Sequence, residues 1–320
     1  MPSTNTTITE TKSQIQTNNE NRLLSNMPHL AGLPTTPRPV ECIFCRAERY
    51  TEGFSIGARI FWLPSGAKPC TCSEGQAEYQ RKQDDVAAKY ATEKKAEEDK
   101  EMRRRVEHIT GESGMGERFL QRTFDTYSTN TITNKKIYSV CLKYAQNFDK
   151  QRSRHGEPLP ERNGFIISGE KGTGKTHIAA AIANFLLNQG TAVIFMTERN
   201  LFGKIRDAYS KSRNYGNEGQ TESEIRSIYE TVPLLVIDDL GKEKATEWTL
   251  ATLYAIIDGR YDRAMPTIIT TNYDVKNLVK RITPKEGDYE LNLVTAEAIV
   301  DRLIEMSESI AVTGKSWRGL

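Results

Sequence analysis

Long hydrophobic runs are missing from this chain. No apolar stretch nears the ~18 residues that a membrane-spanning helix needs, so no membrane segment is expected. The first residues, MPSTNTTITETKSQIQTNNEN, lack the apolar centre of a secretory signal, and a cytoplasmic, reducing setting is the expectation. An excess of either charge is also missing: 44 basic and 42 acidic residues leave +2. Nucleic-acid binding then has to come from a local patch, not from a global field. Internal repeats are absent, which excludes a solenoid or a propeller. Histidine is scarce, and His29, His108, His155 and His177 have no metal-ligand spacing, so none is given a function. Only 37% of the residues are hydrophobic, which leaves part of the 320 outside any core.

That length accommodates two domains with linkers. Residues 1–40 are rich in Thr, Asn, Ser and Pro and read as a disordered tail or tether. A cysteine-bearing module is expected over 41–75 and a charged helical linker over 76–117. Within that linker, RKQDDVAAKYATEKKAEEDKEMRRRVE carries 17 charged residues in 27, balanced in sign and free of Gly and Pro, which predicts a solvated helix. GESGMGE breaks it. From Arg118 the composition becomes globular, with Ile137, Cys141 and Tyr144 at i, i+4 and i+7 of a predicted helix. The short β-rich runs FIIS, AVIFMT, LLVID, TIITTN and IAV then alternate with helical patterns. This alternation predicts an α/β domain over 118–320, a parallel sheet between helices.

Cysteine is scarce, and four of the five are grouped. CIFC and CTC supply Cys42, Cys45, Cys70 and Cys72. In a reducing compartment two close thiolate pairs suit tetrahedral Zn²⁺ in a closed, structural site. The segment between the pairs, which includes RYTEGFSIGARIFWLP, could form a hairpin on a zinc ribbon. The second pair is C-x-C where C-x-x-C is the stronger signal, so reduced, unliganded cysteines stay open as an alternative. Cys141 stands apart on an apolar helix face and reads as a small core residue.

GEKGTGKT fits G-x-x-x-x-G-K-[ST], with a strand before it and an apolar-faced helix after it. Gly169, Gly172, Thr173 and Gly174 would form the turn whose backbone N–H groups cradle phosphate. Lys175 would meet the β- and γ-phosphates of ATP, and Thr176 would offer its hydroxyl to Mg²⁺. LLVIDD ends an apolar strand in two carboxylates. Asp238 would hold Mg²⁺ and Asp239 would orient the attacking water, unless the pair merely caps the next helix. Asn272, at the end of TIITTN, would bridge the γ-phosphate and that water, or else form an Asx turn.

Taken together, RTFDTY, GFIISGEKGTGKTHIAAAIAN, LLVIDDLGKEKATEW, RYDRAMPTIITTN and DRLIEMSESIAVTGKSWRG resemble the AAA+ ATPases. Among these the chain looks like the DnaC/DnaI family of replicative-helicase loaders, with IstB-type transposition helpers as near relatives. The likeness covers residues 118–320. It implies that Arg302 is an arginine finger reaching a neighbouring subunit's γ-phosphate, with an ion pair to Glu305 as the plainer alternative. Arg318 is implied as a second nucleotide-sensing arginine, or else a solvated terminal residue. Asp239 stands where many AAA+ members have Glu, which we read as a slow ATPase used as a switch. Loaders of the DnaI type also resemble the N-terminal zinc-module layout.

The segment after AVIFMT carries Lys204, Arg206, Lys211 and Arg213 with Phe202, Tyr209 and Tyr215 interleaved. Basic and aromatic residues together suit single-stranded DNA, and the resemblance points the same way. A helix with a solvated basic face and a buried aromatic one fits equally. The resemblance implies ATP-driven loading of a hexameric replicative helicase onto single-stranded DNA, with self-association into a ring or spiral. A transposition helper and a non-hydrolysing, ATP-bound DNA adaptor are the alternatives.

Overall fold

The computed structural model describes residues 22–27, 30, 35–56, 59–110, 115–151, 162–215, 221–314 and 316. The chain divides into two compact units, Met1–Lys94 and Lys95–Leu320. In the first, the described strands are β1 (Arg22–Leu24), β2 (Val40–Glu41), β3 (Glu48–Arg49), β4 (Thr51–Ile56) and β5 (Arg59–Ala67). β4 and β5 form the expected hairpin between the two cysteine pairs, and β1 adds antiparallel to β4. β1 lies within the stretch expected to be a disordered tail. Three residues are too few to show a period, and only pairing with Glu52, Gly53 and Phe54 makes them a strand. β2 and β3 pair separately beside Cys42 and Cys45.

The charged stretch is helical, as expected, in α1 (Ser73–Thr110). Val86 and Tyr90 are largely exposed on it, and pairs such as Lys82–Glu78 and Arg105–Glu101 join successive turns. The helix is not linker throughout. The second unit begins inside it, and there Val106 is buried and Met102 packs against the same core. Two apolar residues among so many charges leave no visible period in the sequence.

The second unit continues with α2 (Glu117–Leu120), α3 (Ile132–Gln146), β6 (Gly164–Ser168), α4 (Lys175–Asn188), β7 (Val193–Thr197), α5 (Glu198–Tyr215) and α6 (Glu222–Thr231). Then follow β8 (Leu234–Leu240), α7 (Glu247–Asp262), β9 (Thr267–Thr271), α8 (Val275–Ile282), α9 (Tyr289–Met306) and β10 (Ser307–Ala311). The five strands run parallel in the order β10-β6-β9-β8-β7. Side chains alternate along each strand, so one apolar run supplies both faces. Leu234 and Val236 of β8 join the cluster with Ile178, Ile182 and Leu186 of α4, whereas Leu235 and Ile237 join the cluster with Leu253, Ile256 and Ile299. This is the parallel α/β architecture that the alternation predicts.

The last strand differs from its expected position. IAV marked it by composition, but the strand is SESIA, beginning directly after α9. As an edge strand it keeps Glu308 and Ser309 exposed, so it carries little apolar signal. Among the described residues, Arg260 of α7 is fully buried. Its guanidinium donates to Tyr229 O at 2.7 Å, Val232 O at 3.0 Å, Thr267 Oγ1 at 2.9 Å and Pro266 O. Replacing Arg260 by Leu leaves these acceptors without a donor. We expect a loss of about 3 kcal/mol in the unfolding free energy, read from denaturant midpoints.

Candidate nucleotide site and metal centre

Cys42, Cys45, Cys70 and Cys72 come together, their sulfurs all within 4.8 Å of one another. The Cys45–Cys70 and Cys42–Cys72 Sγ separations are 3.3 and 3.7 Å. Both are well beyond a disulfide bond of ~2.05 Å. They approach the ~3.8 Å edge of a tetrahedron with metal–sulfur bonds of ~2.3 Å. Hydrogen bonds from the Cys45 and Phe44 backbone amides favour the Cys42 thiolate and lower its pKa to about 6. Gly75 closes the cluster, since a Cβ there would lie 2.7 Å from Cys70 Cβ and 3.0 Å from Cys72 Sγ. The donor set and its spacing fit a four-coordinate metal ion with no open position.

The phosphate loop joins β6 to α4. Gly172 and Gly174 adopt φ of +85° and +105°, which glycine reaches without strain. The loop is followed at once by the N-terminus of α4, whose unpaired amides suit an anion. Lys175 is 4% exposed, and its Nζ donates to Gly169 O, Glu170 O and Asn272 Oδ1 at 2.9, 2.8 and 2.9 Å. Lys175 at the start of α4 and Asn272 just after β9, 97 residues apart, therefore meet directly.

The two aspartates owe their separate settings to a bulge. β8 pairs with β9 as Ile237↔Ile269, then as Leu240↔Thr271, so β8 carries one extra residue. Asp239 takes φ +61°, a left-handed conformation uncommon outside glycine. Thr270 bridges the pair: its hydroxyl donates to Asp238 Oδ1 at 2.6 Å and accepts the Asp239 N–H at 2.9 Å. Asp238 is buried, and burial raises its pKa above the ordinary carboxylate range, against hydrogen bonds from Thr270 and Thr176. Asp239 is more open and holds Lys242 Nζ at 3.0 Å. Lys175, Thr176, Asp239 and Asn272 share a cavity of about 320 Å³.

Arg122, His177, Lys242 and Tyr273 also line that cavity and escaped the sequence reading. Arg122 lies in RTFDTY and Lys242 in the run after DDL, so both were visible as motif neighbours. His177 Nε2 lies 3.1 Å from Thr126 Oγ1 and 3.2 Å from Thr123 O. Burial lowers its pKa below the ordinary imidazole range. Thr270 was invisible as a functional residue because threonine is also an ordinary strand former.

Arg302 lies outside the cavity. It pairs with Asp258 at 2.8 Å and stands over the rings of Tyr254 and Tyr261 at 5.1 and 5.7 Å. The expected alternative partner, Glu305, instead bonds Tyr261. Arg318 lies outside the described residues. On α5, Lys204 is exposed, and Arg206 stacks on Trp248 at 5.1 Å. Phe202 is buried against the same Trp248 and presents no free ring, so for it the amphipathic-core reading holds. Lys211 and Arg213 continue that helix, and their side chains lie outside the described residues, as do those of Tyr209 and Tyr215. No helix among the described residues is long and apolar enough to cross a membrane.

Comparison with known proteins gives related results. The chain is similar to the replicative helicase loader DnaC of Buchnera aphidicola subsp. Baizongia pistaciae, 27% identical over 62% of this chain and 70% of that protein. It is likewise similar to DnaC of Escherichia coli strain K12, 27% identical over 52% of this chain and 61% of that protein. Among solved structures, a DnaI crystal structure is similar at 24% identity and a TM-score of 0.48, over 64% of this chain and 94% of that one. The family model described as IstB-like ATP binding protein matches residues 159–319, which hold the phosphate loop, the β8 carboxylates and Asn272. That match takes in half of the chain, and the chain belongs to this family of ATP-binding proteins.

Proposed function

We propose that this protein loads a replicative DNA helicase onto single-stranded DNA, with ATP binding and hydrolysis as the assembly and release switch. The observation that carries the reading is the convergence of Lys175, Thr176, Asp239 and Asn272, at the C-terminal ends of three parallel strands, onto one cavity, with Asp238 hydrogen-bonded to Thr176 beside it. It occurs in a family named for ATP binding, in a chain similar to proteins named replicative helicase loaders. Thr176 and Asp238 would hold Mg²⁺, which when bound offsets the negative charge of the phosphates. Lys175 would exchange its carbonyl and Asn272 contacts for phosphate oxygens. Asn272, released from Lys175, would then orient the water that Asp239 polarises.

Arg302 would complete the site of an adjacent copy in a ring or spiral, leaving Asp258 to do so. The N-terminal unit, with one Zn²⁺ on its four cysteines, would bind the hexameric helicase. The basic face of α5 around Lys204 would follow single-stranded DNA. The domain plan that goes with this reading is a zinc module, a charged helix and an ATPase domain that begins within that helix.

Co-purification with a hexameric helicase, with and without ATP, tests the reading. Nucleotide-dependent capture is expected; recovery of a transposase in its place would favour the transposition-helper reading that the IstB-like match keeps in view. In an ATPase assay with single-stranded DNA, Asp239→Asn should lower kcat about 100-fold with ATP affinity unchanged. A wild-type chain that binds ATP without turning it over would mark it as a non-hydrolysing adaptor, and an Asp239→Asn kcat equal to a measurable wild-type value would remove Asp239 from the hydrolysis step.

A further inference from the structure

The turn that carries Asp239 is held from one side by a single oxygen. Glu198 Oε2 accepts the backbone N–H groups of Gly241, Lys242 and Glu243 at 3.1, 3.0 and 3.0 Å. Glu198 is the first residue of α5, directly after β7, and is 6% exposed. Its placement follows from the register, since β7 and β8 pair as Thr197↔Asp238. The turn needs such a clamp. Asp239 and Gly241 are both left-handed, at φ +61° and +84°, and within the turn only the Lys242 amide finds a second acceptor among the described backbone bonds, Asp239 O at 3.3 Å. On the carbonyl side, Thr271 Oγ1 donates to Leu240 O and Arg281 Nε donates to Gly241 O, each at 2.9 Å. Next to Glu198, Arg199 Nε bonds Glu243 Oε1 at 3.0 Å.

We infer that Glu198 is a positioning residue for hydrolysis: by gathering the three amides it sets the turn from which Asp239 faces the γ-phosphate end of the cavity. The inference rests on the ATPase reading above and adds a residue that touches neither nucleotide nor metal. Lys242, whose own amide Glu198 holds, also pairs with Asp239 Oδ2 at 3.0 Å. A displaced turn would thus move the carboxylate and its partner together. A misplacement of ~1 Å at a reacting group costs on the order of 100-fold in rate. Phosphate binding depends on the opposite wall, the β6–α4 loop and Lys175, and would be untouched.

The test compares wild type, Glu198→Ala and Glu198→Gln in the full chain. ATP affinity is measured by calorimetry and steady-state kcat well below each melting temperature. For Glu198→Ala we expect kcat to fall about 10- to 100-fold with ATP affinity within about threefold. Glu198→Gln keeps an amide oxygen that accepts the same N–H groups and should stay within about threefold of wild type. Equal loss of kcat and affinity in Glu198→Ala, an unchanged kcat, or failure of Gln to rescue would each overturn the inference. If Glu198→Ala does not fold, Glu198→Asp decides by the same split, because it keeps the charge and withdraws the oxygen by one methylene. A wild-type chain that binds ATP and never hydrolyses it overturns the enzyme reading and this inference together; normal wild-type turnover with an indifferent Glu198 overturns this inference alone.

Discussion

Removing the zinc proposed for the four-cysteine cluster, by a chelator or by Cys42→Ser, is expected to leave the N-terminal module unfolded. The reason is how little else that unit buries. Among its described residues, the buried hydrophobic side chains are Leu30 and two of the cysteines themselves, Cys42 and Cys70. Ile43 is 80% exposed and Phe44 48%, and a module so small gains little from apolar burial. Structural zinc contributes about 10–16 kcal/mol to peptides of this kind near pH 7, which outweighs any other interaction available there. Metal analysis should find one zinc per chain in wild type and less in Cys42→Ser. Circular dichroism and limited proteolysis should show strands β2–β5 lost on chelation, with ATP binding by the second unit retained. A chelated protein that keeps the protease resistance of this module would rule the metal role out.

The second large effect falls on Lys175. Lys175→Ala is expected to weaken ATP binding on the order of 1,000-fold, about 4 kcal/mol, from the loss of two charge-assisted contacts to phosphate. Its ammonium is buried, three short hydrogen bonds already hold it at the mouth of the loop, and no other cation lies on the loop's inner wall at comparable depth among the described residues. Folding should change much less, because Lys175 lines an open cavity where water can replace its ammonium as a partner. Calorimetric titration against ATP, with thermal melts as a control, measures both. A variant that binds ATP within a few-fold of wild type would mean that the loop does not grip the triphosphate through this residue. Capture of the helicase by that variant in the absence of ATP would agree with a division of labour between the two units.

Much of this molecule was readable before any coordinates. GEKGTGKT needs its glycines, lysine and threonine at fixed spacing whatever surrounds them, because backbone turn and phosphate geometry are local. The β8 run LLVID announces a strand buried on both faces by composition alone. CIFC and CTC announce a cluster because two closely spaced thiol pairs are the usual sequence signature of a metal site. Less was readable where the signal was short or polar. β1 is three residues long, β10 exposes Glu308 and Ser309, and Met102 and Val106 are hidden in a helix otherwise given over to charge.

Local chemistry therefore made the loop, the paired carboxylates and the thiol cluster legible as candidates, since each depends on neighbours in the chain. Partnerships across the sheet were decided only by the folded arrangement: Lys175 with Asn272, Thr270 between the aspartates, and Glu198 beneath the turn. These depend on which strands lie side by side and on one extra residue in β8, and strand order and register are long-range choices that no window of sequence encodes.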